Sequence, residues 1–211
     1  MLIQSAEMTA APGRSSEIGP LTAGIRDFLS AETGREWWSW AVLAGRPFGT
    51  YMLTSRADGY TDLVAGQVAL ATSADWAKLT GSAAGVLNQP AETYLNEVIA
   101  VTGEPAPPKQ FLTITRATMA GGDIGATLAW STQVMEHVTK ITGNSGNVSM
   151  SAAGRFFDVF WASGVDTAEE LDAAMQTING DAEYVEMVSA AGAAGMFVDG
   201  LAERAILVKM P

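Results

Sequence analysis

The chain has 211 residues, a formal net charge of -11, 48% apolar residues and 17% charged residues, which is typical of a packed globular protein and not of a disordered one. The acidic balance, with no cluster of Lys or Arg, argues against nucleic acid and anionic membrane surfaces as partners. The lack of cysteine excludes disulfides, thiol nucleophiles and thiolate metal sites.

The first hundred residues alternate between extended and helical patterns. A strand is predicted at Leu2 to Met8, and a helix follows because apolar residues recur at helical spacing from Ile18 to Leu29. Two aromatic and β-branched runs, separated by Gly45-Arg46-Pro47, predict a hairpin. The remaining ranges are strands at Trp37 to Ala44 and Phe48 to Ser55, helices at Tyr60 to Ala71 and Ala74 to Val86, the latter with Ser73 as N-cap, and a strand at Tyr94 to Thr102.

The second half repeats this order of elements. The predicted ranges are a strand at Phe111 to Thr118, a helix at Ile124 to Ile141 with Asp123 as N-cap, strands at Val148 to Ala153 and Phe156 to Ser163, helices at Ala168 to Ile178 and Ala182 to Ala190, and a strand at Arg204 to Met210. The two halves therefore share one pattern, βαββαβ.

Short motifs indicate that this pattern arose by internal duplication. Gly45-Arg46-Pro47-Phe48 returns as Gly154-Arg155-Phe156-Phe157 at an offset of 109 positions, and Ser73 to Leu79 matches Asp181 to Met187 at an offset of 108. One deletion explains the change of offset. With the offset of 109, Asp158 is equivalent to Gly49. We predict a first ferredoxin-like repeat at 1–103, a Pro-rich linker at 104–108 and a second repeat at 109–211.

A βαββαβ unit gives a four-stranded antiparallel sheet with its helices on one face, the ferredoxin-like layout. The strands are apolar on both faces, as Trp38 and Trp40 against Trp37 and Leu43 illustrate, so the second face also has to be covered. We therefore predict an α+β fold in which two tandem ferredoxin-like units form an intramolecular dimeric α+β barrel.

This order of elements, with Asp75-Trp76 and Glu183-Tyr184 on the late helix of each half, resembles the dimeric α+β barrel superfamily over nearly the whole chain. The superfamily includes antibiotic-biosynthesis monooxygenases, NIPSNAP and EthD-like proteins, Dabb proteins and haem-binding chlorite dismutases. The resemblance implies a small apolar or aromatic ligand held between the sheet and its helices.

His137 is the only histidine, so any histidine-dependent chemistry has one candidate. At an offset of 109 it overlies Phe28, and on its helix it lies beside Trp130 at the edge of the apolar stripe centred on Val138. It could serve as a general base or as a haem axial ligand, although a lone half-buried histidine is more often structural. One histidine cannot build an ordinary zinc site, and we expect no metal site.

Glu7 and Arg116 are equivalent in the repeat and share strand parity with Ile3 and Ile114. If that parity faces inward, the two charges can pair with each other and mark a site; the alternative is a strand-end pair partly in water. Asp158 interrupts an aromatic run, where burial would raise its pKa and suit it to acid–base work, or where it would only satisfy turn amides.

Several tryptophans and phenylalanines on the paired hairpins could build core, stack on a planar ligand or form a subunit contact. The complete set of predicted site residues is His137 and Asp158 as catalytic groups, with Trp130, Val134, Trp161, Arg116 and Glu7 as ligand-binding groups.

Three functions fit this sequence. The first is a monooxygenase-like enzyme or binding protein for an apolar or aromatic small molecule, and the second is a non-catalytic oligomerisation protein with Ala/Gly-rich helices. The third is a haem protein of the chlorite dismutase kind with His137 as proximal ligand; no other cofactor is expected. Self-association is expected, and the amino terminus lacks a signal-peptide pattern, so we expect a cytoplasmic protein.

Overall fold

The computed structural model describes residues 1–104 and 107–211 and contains eight strands and six helices in those ranges. In chain order they are β1 (Leu2–Thr9), α1 (Ser15–Thr33), β2 (Trp37–Ala44), β3 (Thr50–Ala57), α2 (Tyr60–Thr72), α3 (Ala74–Ser82), β4 (Glu92–Thr102), β5 (Phe111–Thr118), α4 (Ile124–Thr142), β6 (Gly146–Ala153), β7 (Asp158–Val165), α5 (Ala168–Gly180), α6 (Ala182–Ala193) and β8 (Glu203–Lys209). Every predicted element is present.

The chain forms two compact units, Met1–Glu97 with Val208–Pro211, and Val98–Leu207. We refer to them as the first and the second unit. The division falls inside β4 and inside β8. Of the predicted linker at 104–108, Pro105 and Ala106 lie outside the described residues, and the repeat boundaries at 103 and 109 stay a prediction.

The strands are hydrogen-bonded in the order β1-β3-β2-β8-β5-β7-β6-β4, and the sheet closes into a barrel. Each repeat contributes four strands in the ferredoxin-like order, β4-β1-β3-β2 and β8-β5-β7-β6. The pairs β1–β3, β1–β4, β2–β3, β5–β7 and β6–β7 are antiparallel. The predicted fold, an α+β barrel of two tandem ferredoxin-like units, is therefore confirmed.

Each unit has its own apolar core between helices and sheet. In the first unit Ile18 and Leu53 are almost completely buried, and in the second Val148 and Val159 are. Burying such a side chain stabilises a fold by roughly 1.5–3 kcal/mol. Parity along a strand then tells the two sheet faces apart, because residues that pack in these cores point toward the helices.

The starts of helices α3, α4 and α5 carry side-chain caps. Ser73 accepts a hydrogen bond from the Trp76 amide at 3.2 Å and Asp123 one from the Ala126 amide at 2.9 Å, so both predicted N-caps are confirmed. Thr167 and Glu170 form a full capping box at the start of α5.

Several predicted boundaries are wrong by two or more residues. The helix predicted from Ala74 to Val86 ends at Ser82, because the Val86 carbonyl instead accepts a hydrogen bond from the Ala11 amide at 2.8 Å. The strands predicted to begin at Phe48 and Phe156 begin two residues later, and both phenylalanines are exposed in the preceding turns.

Strand register relocates the deletion between the repeats. Thr9 faces Thr50, and Thr118 faces Asp158, so Asp158 is equivalent to Thr50 at an offset of 108. The placement of Asp158 opposite Gly49 is therefore wrong, because the missing residue lies in the turn between β6 and β7.

Gly49 is instead equivalent to Phe157. Both have positive φ, +79° and +69°, and their carbonyls accept equivalent hydrogen bonds, from the Ala10 amide at 3.0 Å and from the Met119 amide at 2.9 Å. A side chain in this left-handed region costs about 1–2 kcal/mol, which the second unit tolerates at Phe157.

Candidate functional site

An aromatic cluster of Trp130, Trp161 and Phe197 lies between the helices and the sheet of the second unit. Trp130 comes from α4, Trp161 from β7, and Phe197 from the segment after α6. The Trp130 ring centroid is 6.2 Å from that of Trp161, edge to face, and 5.3 Å from that of Phe197, while Trp161 and Phe197 are 5.7 Å apart. These are favourable aromatic geometries, and all three rings are half-buried, so part of their surface stays open.

Both indole N–H groups of the cluster are bound to backbone carbonyls. Trp130 donates to the Met187 carbonyl at 3.2 Å and Trp161 to the Ser131 carbonyl at 3.1 Å. These bonds fix the ring orientations. The surface that remains available is therefore the apolar ring face, which suits a flat apolar molecule and not a hydrogen-bonding one.

Backbone bonds also position the third ring. Phe197 forms an isolated bridge with Met119 at the end of β5, where the Val198 amide donates to the Thr118 carbonyl at 2.9 Å. Val134, which follows Trp130 by one helical turn, is buried in the core beneath the cluster. The structure therefore brings together the predicted residues Trp130, Val134 and Trp161.

The first unit has aliphatic residues at the same three positions. Trp130 is equivalent to Leu21 at an offset of 109, and Trp161 to Leu53 by strand register. Phe197 is equivalent to Leu87, because each forms the isolated bridge that extends the first strand of its repeat. The duplication therefore kept the architecture, while only the second unit has aromatic rings here.

His137 is buried and bound to the start of the last helix of its unit. Its Nε2 lies 2.8 Å from Asp181 Oδ1, and its Nδ1 lies 3.6 Å from Glu183 Oε2. Asp181 also caps α6 by accepting a hydrogen bond from the Tyr184 amide at 2.7 Å. That backbone bond, followed by the bond from His137, lowers the pKa of Asp181 below its ordinary value.

The equivalent contact in the first unit is apolar. Phe28, the counterpart of His137, stacks on Trp76 with ring centroids 5.8 Å apart, and Trp76 follows the Ser73 cap as Tyr184 follows Asp181. Both residues therefore tie the long helix of their repeat to the start of its last helix. This gives His137 a structural reason to exist, while its predicted catalytic role stays a prediction.

A haem group does not fit His137. An axial ligand needs a ring nitrogen with a free lone pair directed into open space. Here Nε2 is committed to a carboxylate at hydrogen-bond distance, Nδ1 faces a second carboxylate, and the ring is buried. Among the described residues, no three His, Cys, Asp or Glu side chains are grouped as a metal site would require.

A charged cluster of Arg116, Thr118, Asp158 and Glu203 lies on the opposite face of the second unit's sheet. Asp158 and Thr118 face each other across β7 and β5, and their parity differs from that of the core residue Val159. Asp158 Oδ1 accepts a hydrogen bond from Thr118 Oγ1 at 2.5 Å. Arg116 lies 3.5 Å from Asp158 Oδ2 through Nε and 3.0 Å from Glu203 Oε2 through Nη2.

The facing atoms of this cluster are incompletely satisfied. Arg116 Nε and Asp158 Oδ2 are buried and neither has a hydrogen-bond partner within the described residues. The Arg116–Asp158 contact is thus a buried charge pair without a well-formed hydrogen bond. Such a pair is expensive to break, because removing one charge leaves the other buried.

Glu7 and Arg116, for which mutual pairing was one of two alternatives, each have an opposite charge in their own unit. Glu7 Oε2 lies 3.4 Å from Arg46 Nε, and Arg116 Nε lies 3.5 Å from Asp158 Oδ2. Where Asp158 bonds to Thr118, the first unit has a hydroxyl pair, Thr9 and Thr50, at 3.0 Å. Within the second unit the predicted site residues are therefore divided among the aromatic cluster, the charged cluster and His137, and Glu7 belongs to the first unit.

Sequence reasoning missed Phe197, Asp181 and Glu203. Asp181 carried a signal, since it precedes the last helix at the position where Ser73 precedes its counterpart, but nothing local indicated that it meets His137. Phe197 and Glu203 lie outside the short repeated motifs, and strand pairing is what brings them to Trp161 and Arg116.

Comparison with known proteins shows which solved structures share this fold. No protein-family model matches the sequence, and no curated protein matches it. A solved structure of a candidate monooxygenase from Fusobacterium nucleatum is similar over 100% of this chain and 92% of its own, with a TM-score of 0.72 and 8% identity. The chain has the dimeric α+β barrel fold.

Further α+β barrel structures agree. An anthrone oxidase-like protein is similar over 100% of this chain and 91% of its own, with a TM-score of 0.69 and 14% identity. A haem-degrading enzyme from Listeria monocytogenes covers 99% of both chains, with a TM-score of 0.52 and 8% identity. In the part of the chain that the structure describes, each helix is too short or too polar to cross a bilayer.

Proposed function

We propose that the second unit binds a flat apolar or aromatic small molecule against the ring faces of the aromatic cluster. The observation that carries this proposal is the difference between the repeats, with Leu21, Leu53 and Leu87 in the first unit and aromatic rings at the same positions in the second. A core alone has no need for this change, because the first unit packs there with leucines.

The α+β barrel neighbours support the chemical class. One is named for anthrone oxidation and another for haem degradation, and both compounds are flat, largely apolar polycyclic molecules. Because the bonded His137 is unsuited to ligate haem iron, anthrone is the better model compound for binding tests. Ring faces with satisfied indole N–H groups would hold such a molecule by stacking and by burial of apolar surface.

The binding test is titration calorimetry with anthrone under argon. We expect binding by the wild-type protein and about tenfold weaker binding by Trp130→Leu and Phe197→Leu, the loss of roughly 1.4 kcal/mol of aromatic contact. Both variants install the residue that the first unit already carries. Trp76→Leu, which removes a half-buried indole from the first unit, is the matched control and should bind anthrone normally.

Admitting air turns the same samples into a test of catalysis. Anthrone and O₂ give anthraquinone and water, a conversion that is followed by absorbance. Conversion faster than in buffer, and slowed by Phe197→Leu, would favour the monooxygenase-like enzyme; binding without conversion would favour a binding protein. Absence of binding by the wild-type protein, or equal binding by Trp130→Leu, would refute the proposed site.

A further inference from the structure

Arg35 is a buried arginine of the first unit whose guanidinium is incompletely hydrogen-bonded. It follows α1 and is 8% exposed. Its Nη2 donates to the neutral Gln4 Oε1 at 3.0 Å, whereas Nε and Nη1 are buried and have no hydrogen-bond partner in residues 1–104 and 107–211. Buried donors without an acceptor are rare in proteins, and they are costly on a charged group.

The positive charge of Arg35 is weakly compensated. Its Cζ lies 5.4 Å from the centroid of the Trp37 ring, which provides a modest cation–π attraction. Burial lowers the pKa of Arg35 below its ordinary value more than the charge of Asp62 raises it. The Asp62 carboxylate also accepts a hydrogen bond from the Asp58 amide at 3.2 Å. The surroundings of the guanidinium therefore favour an additional negative group.

The second repeat shows that the fold does not require this arginine. Arg35 is equivalent to Asn144 at an offset of 109, because each follows a left-handed glycine that ends the long helix of its repeat. The amides of both residues donate to a threonine hydroxyl two positions earlier, at 3.4 Å and 3.2 Å. Asn144 is neutral and half-buried, so the same turn forms without a buried charge.

Gly66 leaves room for the guanidinium beneath α2. A Cβ at this position would lie 3.3 Å from Arg35 Nη2 and 3.3 Å from Thr33 Cγ2. At an offset of 108 the equivalent residue is Ala174, which is buried in α5 as Gly66 is in α2. Glycine weakens a helix relative to alanine. The first repeat thus has two features that weaken its fold, a buried cation and a helical glycine, and the two lie against each other.

We propose that Arg35 binds the oxyanion of a small molecule, a carboxylate or a phosphate group. Nε and Nη2 share one edge of a guanidinium, and this edge matches two oxygens of an oxyanion. Gln4 Oε1 occupies only the Nη2 half of that edge. Charge-assisted hydrogen bonds are roughly twice as strong as neutral ones, so an oxyanion displaces the half-buried Gln4 amide and bonds to both nitrogens. This site belongs to the first unit and is independent of the aromatic cluster and of the function proposed for it.

Nuclear magnetic resonance of the arginine Nε–H groups tests the site directly. The Arg35 signal, assigned by its absence in Arg35→Met, should move downfield and saturate on addition of acetate or inorganic phosphate. Chloride at equal ionic strength should not move it. The ion with the higher affinity identifies the group, acetate for a carboxylate ligand and phosphate for a phosphoryl ligand. Gly66→Ala, which copies Ala174, should weaken the anion affinity, because its Cβ crowds Nη2.

Urea denaturation distinguishes a binding residue from a structural one. In chloride, Arg35→Met should raise the urea midpoint, because methionine keeps an apolar stem and removes a buried charge. The anion that binds should stabilise the wild-type protein, and Arg35→Met should weaken its apparent affinity by at least about tenfold. Arg155→Met, which removes an exposed arginine from the second unit, is the matched control and should keep the wild-type midpoint and the anion response.

Three results would each overturn the proposal. The first is an Arg35 signal that neither acetate nor phosphate moves. The second is an equal anion response of Arg35→Met and the wild-type protein, which would place the anion elsewhere. The third is a urea midpoint in chloride that Arg35→Met lowers, which would show that the fold itself requires the arginine.

Discussion

The substitution Asp158→Thr removes one member of a buried charge pair. The new threonine hydroxyl can still form a hydrogen bond with Thr118. The model for this variant is the first repeat, where Thr50 bonds to Thr9 at 3.0 Å as Asp158 bonds to Thr118. The change therefore isolates the loss of the carboxylate beside Arg116. Arg116 keeps Glu203 at 3.0 Å, but that carboxylate is 43% exposed and only partly compensates.

Breaking a buried ion pair by removing one partner costs about 3–5 kcal/mol. Because Glu203 remains, we expect the lower end, about 3 kcal/mol of unfolding free energy, or roughly 6–12 °C in Tm for a chain of this size. Urea denaturation followed by circular dichroism measures it. Asp172→Thr, which removes an exposed carboxylate from α5, is the control and should change stability by no more than about 0.5 kcal/mol.

A double-mutant cycle completes this test. Arg116→Met alone leaves Asp158 buried without its cation, whereas Arg116→Met combined with Asp158→Thr removes both charges. We expect the combined loss to be smaller than the sum of the single losses by about 1–3 kcal/mol. Additive losses, or a cost for Asp158→Thr no larger than that of Asp172→Thr, would refute the view that the pair is buried and coupled.

Three further changes test the structural roles assigned above. His137→Phe, which copies Phe28, should lower the free energy of unfolding by about 1 kcal/mol. His137→Ala should lower it by about 2–4 kcal/mol, because alanine leaves a cavity as well as an Asp181 without its histidine partner. Equal urea midpoints for the two variants would contradict this. The pKa of Asp181 is lowered in the folded state, so the stability that this group contributes is complete above its ordinary pKa of 3.8 and is lost as the pH falls through the lower folded pKa. In a plot of unfolding free energy against pH, Asp181→Asn should therefore reduce the loss of stability on the acid side. An unchanged acid side of the curve would count against this role. Gly49→Ala should destabilise the protein more than Gly13→Ala in the same urea assay, since both glycines have a φ of +79° but only at Gly49 would a Cβ come within 3.2 Å of the Ala10 Cβ. Equal losses would show that backbone strain alone decides and would refute the steric contribution of Ala10.

Much of the fold followed from local patterns in the sequence. The aromatic run at Trp37 to Ala44 and the helical spacing after Ile124 each specify one element, and the repeated order of elements leads to two ferredoxin-like sheets. The errors occurred where a tertiary hydrogen bond overrode a local pattern, as at Val86, whose carbonyl bonds to the Ala11 amide. Residue identity also misplaced the deletion, because Phe157 adopts a backbone conformation that a sequence comparison assigns to glycine.

The site was less predictable because its contacts join distant parts of the chain. His137 meets Asp181, 44 positions away, and Trp161 meets Phe197 only because a bridge holds the segment after α6 to β5. Helical periodicity placed His137 beside Trp130 but gave no indication that Asp181 is the hydrogen-bond partner of His137. Strand parity grouped Arg116 with other inward residues, yet its partner Asp158 depended on the register of β7.

Thr118 serves both faces of the second unit's sheet. Its carbonyl accepts the Val198 amide next to Phe197, and its hydroxyl donates to Asp158 in the charged cluster. The peptide backbone at this residue is therefore a common anchor for an aromatic surface and a buried ion pair that have no side chain in common. A shift of the backbone at Thr118 would therefore disturb the aromatic surface and the buried ion pair together, although the two lie on opposite faces of the sheet.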